Sequence, residues 1–379
     1  MKRKRIVALI LIALVVIMVI DFRINDEDPV ADLFLQFETD SMHDLNQSSG
    51  INTERQNPTA VNRSNLTYSS ESLEELILDN EVGSIDIKGH QSNSIDVSYE
   101  VKIYSANKEA AEKYMNNINV GYNVSGGEFE LYVDRPKPKP DNIKGVEVLF
   151  DIQAPKDIYL DLANKYGRVK VKDFNAGLNL VSRYSETIVN FVDGKIDIKN
   201  DYGSLSLSDL DGELTINTSY NINKFKNLQG KLNLKTAYAQ STLENINADT
   251  VLTGRYGGAD IEQLEGKLDV DVRYMGVTLD EIMGEIDGDV EYGEVNIESL
   301  SNSLNINTRY ADLKIWMVED LQDLNVDVST EYGDLRSDLN LSRTQDGNTK
   351  NIKGRLGSGN KELNIEARHA DVSLIYEGQ

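Results

Sequence analysis

The side chains best suited to chemistry in this sequence are carboxylates set at a fixed interval. Asp269 and Asp287 stand eighteen residues apart, as do Asp271 and Asp289; Glu244, Glu262, Asp280 and Glu298 form a longer series with the same step. If the chain returns on itself every eighteen residues, each neighbouring pair comes within about 5 Å, the spacing of adjacent strands. Oxygen ligands that close suit calcium. Two carboxylates about 5 to 9 Å apart are also the acid and base, or acid and nucleophile, of glycoside hydrolysis. The plain alternative is a solvated acidic face whose repulsion salt screens. Asp269, Asp271, Asp287 and Asp289 are thus the candidate calcium ligands. Glu244, Glu262, Asp280 and Glu298, with Trp316 at the end of their series, are the candidate partner contacts. Strand parity points Trp316 outward, as a contact residue requires; the insertion after Val318 could instead fold over it and make it local core.

Other chemistries lack their residues. The 379-residue chain has no Cys, which removes disulfides, zinc-thiolate sites, iron-sulfur clusters and a thiol nucleophile. Its three histidines, His43, His90 and His369, are scattered, so no Ser-His-Asp set can be read. No glycine-rich stretch continues into Gly-Lys-Ser/Thr, the calcium β-roll nonapeptide is missing, and no regular threonine rows suggest an ice-binding face. A balance of 39 Lys plus Arg against 63 Asp plus Glu, a net charge of -24, excludes a nucleic-acid binder that works by neutralising phosphates.

What must position the carboxylates is a repeat. Tyr166, Tyr184, Tyr202, Tyr220, Tyr238, Tyr256, Tyr274, Tyr292 and Tyr310 recur at intervals of eighteen residues, and the register reaches Tyr332 after a four-residue insertion. Counting Tyr as position one, the unit from Tyr202 is apolar at positions 4, 6, 9, 13 and 15, with Gly203 and Gly212 at positions 2 and 11. Alternation within the unit is period two, which predicts short strands divided by turns. Identical consecutive units pair in parallel with their own copies, giving an all-β fold: a parallel β-solenoid, or β-helix, of 18-residue coils. The tyrosine column shares parity with positions 13, 15 and 17, which predicts rings turned inward as a stacked core ladder; the alternative is an outward platform for sugars. Position 12 carries Lys195, Glu213, Lys231, Asp249, Lys267 and Glu285, whose alternating sign would penalise a slip of one coil.

Residues 73–165 read as a strand-rich N-terminal cap holding the first coils and one helix, around SANKEAAEKYMNNI with Asn107 or Ser105 as N-cap. Residues 166–379 form the solenoid and a C-terminal cap, closed by strands near Leu363 and Val372. Residues 23–72 read as a polar linker. Residues 2–5 are Lys-Arg-Lys-Arg, followed by an apolar run from Ile6 to Ile20, so 1–22 is a membrane anchor or signal segment. Bulky and charged residues near a cleavage position favour retention as a membrane-spanning helix, with the remaining chain outside the cytoplasm.

The phrase QAPKDIYLDLANKYGRVKV from Gln153, with EVGSIDIKG and NVSGGEFELYV before it, resembles the bacterial putative-adhesin family of β-solenoid domains across roughly 73–379. The resemblance implies this fold and a cell-envelope location, and it carries over no catalytic residues. The reading that follows is a membrane-anchored, extracytoplasmic, non-catalytic binding module or scaffold, whose partner is an envelope protein or glycan, with no cofactor unless calcium. The alternatives are a carbohydrate-active enzyme using the paired carboxylates and a calcium-stabilised rod. The sequence specifies no oligomeric state.

Overall fold

The structure, a computed structural model, describes residues 57–69, 72–318 and 323–376. The expected anchor at 1–22, most of the expected linker, His43 and the insertion after Val318 lie outside the described residues. Among the described residues no helix is long and apolar enough to cross a membrane.

The repeat folds as its period dictates. Each coil pairs in parallel with the next at an offset of eighteen, so that Leu268 faces Thr250 on one side and Ile286 on the other. The corners are tight enough for one hydrogen-bonded strand to run unbroken over Ser185–Glu265. Leu205, Leu207, Leu210, Leu214 and Ile216, the apolar positions of the Tyr202 unit, are all essentially without solvent contact. Repetition turns each such position into a column: Val189, Leu207, Phe225, Leu243 and Ile261 fill one line of the core, and Ile198, Ile216, Leu234 and Leu252 another. Burying each such side chain contributes roughly 1.5–3 kcal/mol. Position 17 also faces inward, yet several coils place Asn164, Ser182, Asn200, Thr218 and Thr236 there. These are joined in part by hydrogen bonds, as where Asn200 Nδ2 donates to Ser182 Oγ (2.6 Å) and Thr187 Oγ1 (2.8 Å).

Both ends break the correspondence between chain order and spatial order. At the N-terminal end, Glu75–His90 lies between Tyr159–Phe174 and the strands Glu128–Asp134 and Ile143–Pro155. Ala60–Ser69 pairs antiparallel with Ser94–Ser105, so the polar stretch expected to be linker as far as residue 72 already supplies an edge strand. Its residues are mostly exposed, which is why its composition resembles a tether. The one described helix, Lys108–Met115, buries Ala111, Tyr114 and Met115, and Asn107 Oδ1 accepts from the Ala110 amide at its N-cap. At the other end, Lys361–Arg368 and Val372–Tyr376 do not follow the Tyr332 coil. They slot between it and Leu304–Met317, and the Thr349–Arg355 strand covers the outer edge of Leu324–Glu331. Covering such an edge keeps it from templating further pairing.

Coil stacking leaves no room for a side chain at certain turns. Gly212 has φ 143°, and a Cβ there would lie 1.9 Å from the Gly194 carbonyl oxygen of the coil below, whereas a Cβ on Gly276 would meet nothing within 4 Å. Gly212→Ala is expected to lower unfolding stability by about 1–3 kcal/mol and Gly276→Ala to leave it nearly unchanged, as read by urea denaturation. Equal effects would contradict this packing.

Candidate functional site

The tyrosines stack, but outward. Tyr184 through Tyr310 each adopt positive φ, between 47° and 58°, and each is 36–47% exposed. A residue in the left-handed region turns the chain and interrupts the pleat, so alternation counted through it gives the wrong face. That is why the expected inward rings are corrected to an exterior ladder. The cost of the conformation, roughly 1–2 kcal/mol per residue, is opposed by stacking worth about 0.5–1.5 kcal/mol per pair. Ring centroids are 4.7–5.1 Å apart with planes within 14° from Tyr166 to Tyr310. The ladder then continues through His369 to Tyr332, because the inserted C-terminal coil places its own corner between them. Between the two end rings, Tyr166 and Tyr332, each ring has a stacked neighbour on both faces, so the ladder presents edges and hydroxyls rather than free faces for sugar stacking. Burial against the stack, with Tyr220 and Tyr256 on either side, raises the Tyr238 phenol above its ordinary value.

The carboxylates come together as their spacing predicts: Asp269 pairs with Asp287, Asp271 with Asp289, and Asp280 with both Glu262 and Glu298. Part of their charge is met from within the chain. Lys267 Nζ sits 3.0 Å from Asp269 Oδ1 and 2.7 Å from Asp287 Oδ2, the position between two carboxylates that a calcium ion would take. Asn305 and Asn307 donate to Asp287 Oδ1 (3.1 Å) and Asp289 Oδ1 (2.9 Å). Among the described residues no three His, Asp or Glu side chains form a group able to hold a metal. The hydrogen bond from Lys267 holds the Asp287 carboxyl below its ordinary value despite partial burial, and the same contacts raise the lysine. A glycosidase acid needs the reverse shift. The Glu244 series opens with an ion pair to Lys226 (2.6 Å). Of the position-12 row, only Lys267 forms described ion pairs, and it reaches position 14 rather than its own column. Trp316 is half-buried on the surface opposite Ile375 of the inserted coil.

Sequence reasoning misses one concavity. Insertion of the C-terminal coil aligns Asn305, Asn364, Asp327 and Lys353 in one row, and Asn307, Glu366, Ser329 and Asn351 in the next. Together they line a groove of about 340 Å³, beside a shallower depression of about 180 Å³ over the four aspartates. The signal lies in a near-copy: LNINTRYADL from Leu304 and LNIEARHADV from Leu363 share a pattern, with His369 at the place of Tyr310.

Residues 73–375 match the family model described as Toastrack DUF4097, and the chain belongs to that family. Among solved structures it is similar to a putative cell adhesion protein from Clostridium sporogenes, at 12% identity over 84% of this chain and 100% of that one, with a TM-score of 0.20. It is similar as well to a putative lipid binding protein from Parabacteroides distasonis (11% identity, 82% and 96% covered, TM-score 0.27). A putative adhesin from Parabacteroides merdae shows 11% identity over 68% and 88%, with a TM-score of 0.29. No curated protein matches the chain significantly.

The Lys267 bridge has a defined pH signature. A carboxyl whose folded value is lowered contributes stability above its unfolded value, and that contribution is lost as pH falls through the lowered folded value. A lysine whose folded value is raised contributes below its unfolded value, and the contribution is lost as pH rises through the raised one. Lys267→Met is therefore expected to lower the urea midpoint at pH 7, with the deficit shrinking as Asp287 is protonated below about pH 4. A deficit independent of pH would contradict the bridge.

Proposed function

We propose that this chain is a non-catalytic binding module or scaffold of the bacterial cell envelope, held at the membrane by its N-terminal basic and apolar segment, with the solenoid outside the cytoplasm. The observation that carries the reading is the exposed aromatic ladder. A continuous band of phenol edges along one corner of a rigid rod is an extended contact surface, since tyrosine combines a large apolar body with a hydroxyl and loses little entropy on binding. The paired carboxylates give the enzymatic alternative little support, because Lys267 ion-pairs both Asp269 and Asp287 and no nucleophile and base can be read together in the sequence. The Lys-Arg-Lys-Arg sequence before Ile6 supports the orientation, because basic flanks stay cytoplasmic.

In-cell crosslinking tests the reading. With a photoreactive residue at position 276, beside the ladder, and another at 280, the full-length protein is expected to capture one defined envelope component. Capture is expected to fall at least fivefold in the Tyr238→Ser, Tyr256→Ser variant. Cleavage of envelope polysaccharide by the purified full chain, abolished by Asp269→Asn with Asp287→Asn, would overturn it.

A further inference from the structure

The groove at the C-terminal end has a polar inventory that the fold itself does not use. Asn364, Asn351 and Ser329 are half-buried in it. Among the described residues no hydrogen bond links the Asn364 or Asn351 amide to another side chain, and the Ser329 hydroxyl makes only a long contact, 3.4 Å, to the Ile365 carbonyl. Asn305 and Asn307 each give an amide hydrogen, to Asp287 and Asp289 respectively, and their side-chain oxygens accept no hydrogen bond from any described residue. Glu366 adds an exposed carboxylate, while Asp327 is tied to Lys353 Nζ at 2.8 Å. Two amides with both donors and acceptors, two further amide oxygens, a hydroxyl and a carboxylate thus converge on one concavity.

Such a set has a narrow chemical complement. An amide donates and accepts through adjacent atoms, and a ligand that answers it must do both at each point, as a hydroxyl group does. Charge narrows the choice further. Lys353 is paired with Asp327, Lys267 with Asp287, and beyond the groove Arg309 and Arg368 with Glu291 and Glu331, so most carboxylates around it are already answered and a cationic peptide gains little. Glu366 and Asp327, with Asp287 and Asp289 beyond Asn305 and Asn307, disfavour a polyanion. The lining is almost entirely polar, so an apolar ligand gains nothing. A volume of about 340 Å³ falls in the range of small-molecule sites. Adjacent strands repeat at about 4.8 Å, so the four strands supplying the two rows present hydrogen-bonding groups at regular steps across the groove.

We propose that this groove, walled by the inserted C-terminal coil and the Thr349–Arg355 strand, is a binding site for an uncharged saccharide unit of a glycan chain. The site deepens the binding-module reading and rests on it: the partner engaged at this end is a carbohydrate, held through separate hydroxyls, some answering Asn364 and others Asn351, that also donate to Glu366 and the Asn305 and Asn307 oxygens. Because none of the described lining residues is aromatic, recognition there is by hydrogen bonding rather than stacking.

The test is titration calorimetry of the full chain in detergent with three probes of equal length: uncharged β-linked hexose or N-acetylhexosamine tetrasaccharides, a hexuronate tetrasaccharide and tetralysine. Binding of an uncharged tetrasaccharide is expected, with tenfold or greater loss in Asn351→Ala with Asn364→Ala. The outward Asn233→Ala control is expected to bind as wild type, and thermal melts of both variants check that the fold is kept. Binding of tetralysine or hexuronate alone, saccharide binding indifferent to the Asn351 and Asn364 changes, or no binding of any probe would overturn the groove. If the groove fails while crosslinking at 276 or 280 still captures an envelope component, the module reading stands without it.

Discussion

Everything in this protein depends on each residue sitting directly over its counterpart one coil away. Parallel in-register pairing at an offset of eighteen builds the core columns, the tyrosine ladder and the carboxylate pairs by the same operation. A property of one position becomes a property of a line: an apolar residue becomes a core seam, an aromatic corner a stack, an acidic residue a row that must be neutralised. The rod is cooperative in this sense. A slip of one residue would move the apolar positions to the surface on every coil at once, and the stacked corners oppose it because the rings would lose their neighbours.

The ladder and the acidic rows show two ways of managing repetition. Where the repeated group attracts its copy, as tyrosine does, stacking offsets the left-handed backbone that the corner requires. Where it repels its copy, as in the Asp269 and Asp271 rows, the chain relieves the repulsion locally, by Lys267 between Asp269 and Asp287 and by Asn305 and Asn307 on the coil above. The buried polar column at position 17 is a third case, in which like neighbours hydrogen-bond to one another, as Asn200 does to Ser182. What repetition leaves outside is a band of phenol edges along one corner and a groove where the repeat is interrupted.

The coil length, the β pairing, the core positions, the helix and the pairing of the carboxylates were legible in the sequence, because each follows from a period or a local signal; the expected division of each coil into short strands by turns was not met, since strand pairing runs through the corners over Ser185–Glu265. The facing of the tyrosines was not, since parity holds only within a strand and the left-handed corner resets it. The order of the last coils was not legible by counting either. His369 lies 37 residues beyond Tyr332 in the chain but next to it in the ladder, and only comparing LNIEARHADV with LNINTRYADL exposes its place. The groove depends on that insertion, so it stayed hidden with it. The strand Ala60–Ser69 looked like linker because an exposed edge strand needs little apolar patterning.

The central claim, that coils stack one on the next in eighteen-residue register with the tyrosines at the shared corner, has a direct test because the chain has no native cysteine. Register neighbours lie about 4.8 Å apart, within the Cα range a disulfide spans, whereas residues two coils apart lie beyond it. In the full-length protein, Tyr238→Cys with Tyr256→Cys should form an intramolecular disulfide rapidly under mild oxidation, as read by mass spectrometry, while Tyr238→Cys with Tyr274→Cys should remain reduced. Crosslinking of the second pair in preference to the first would contradict the stacked register on which the rest of the account stands.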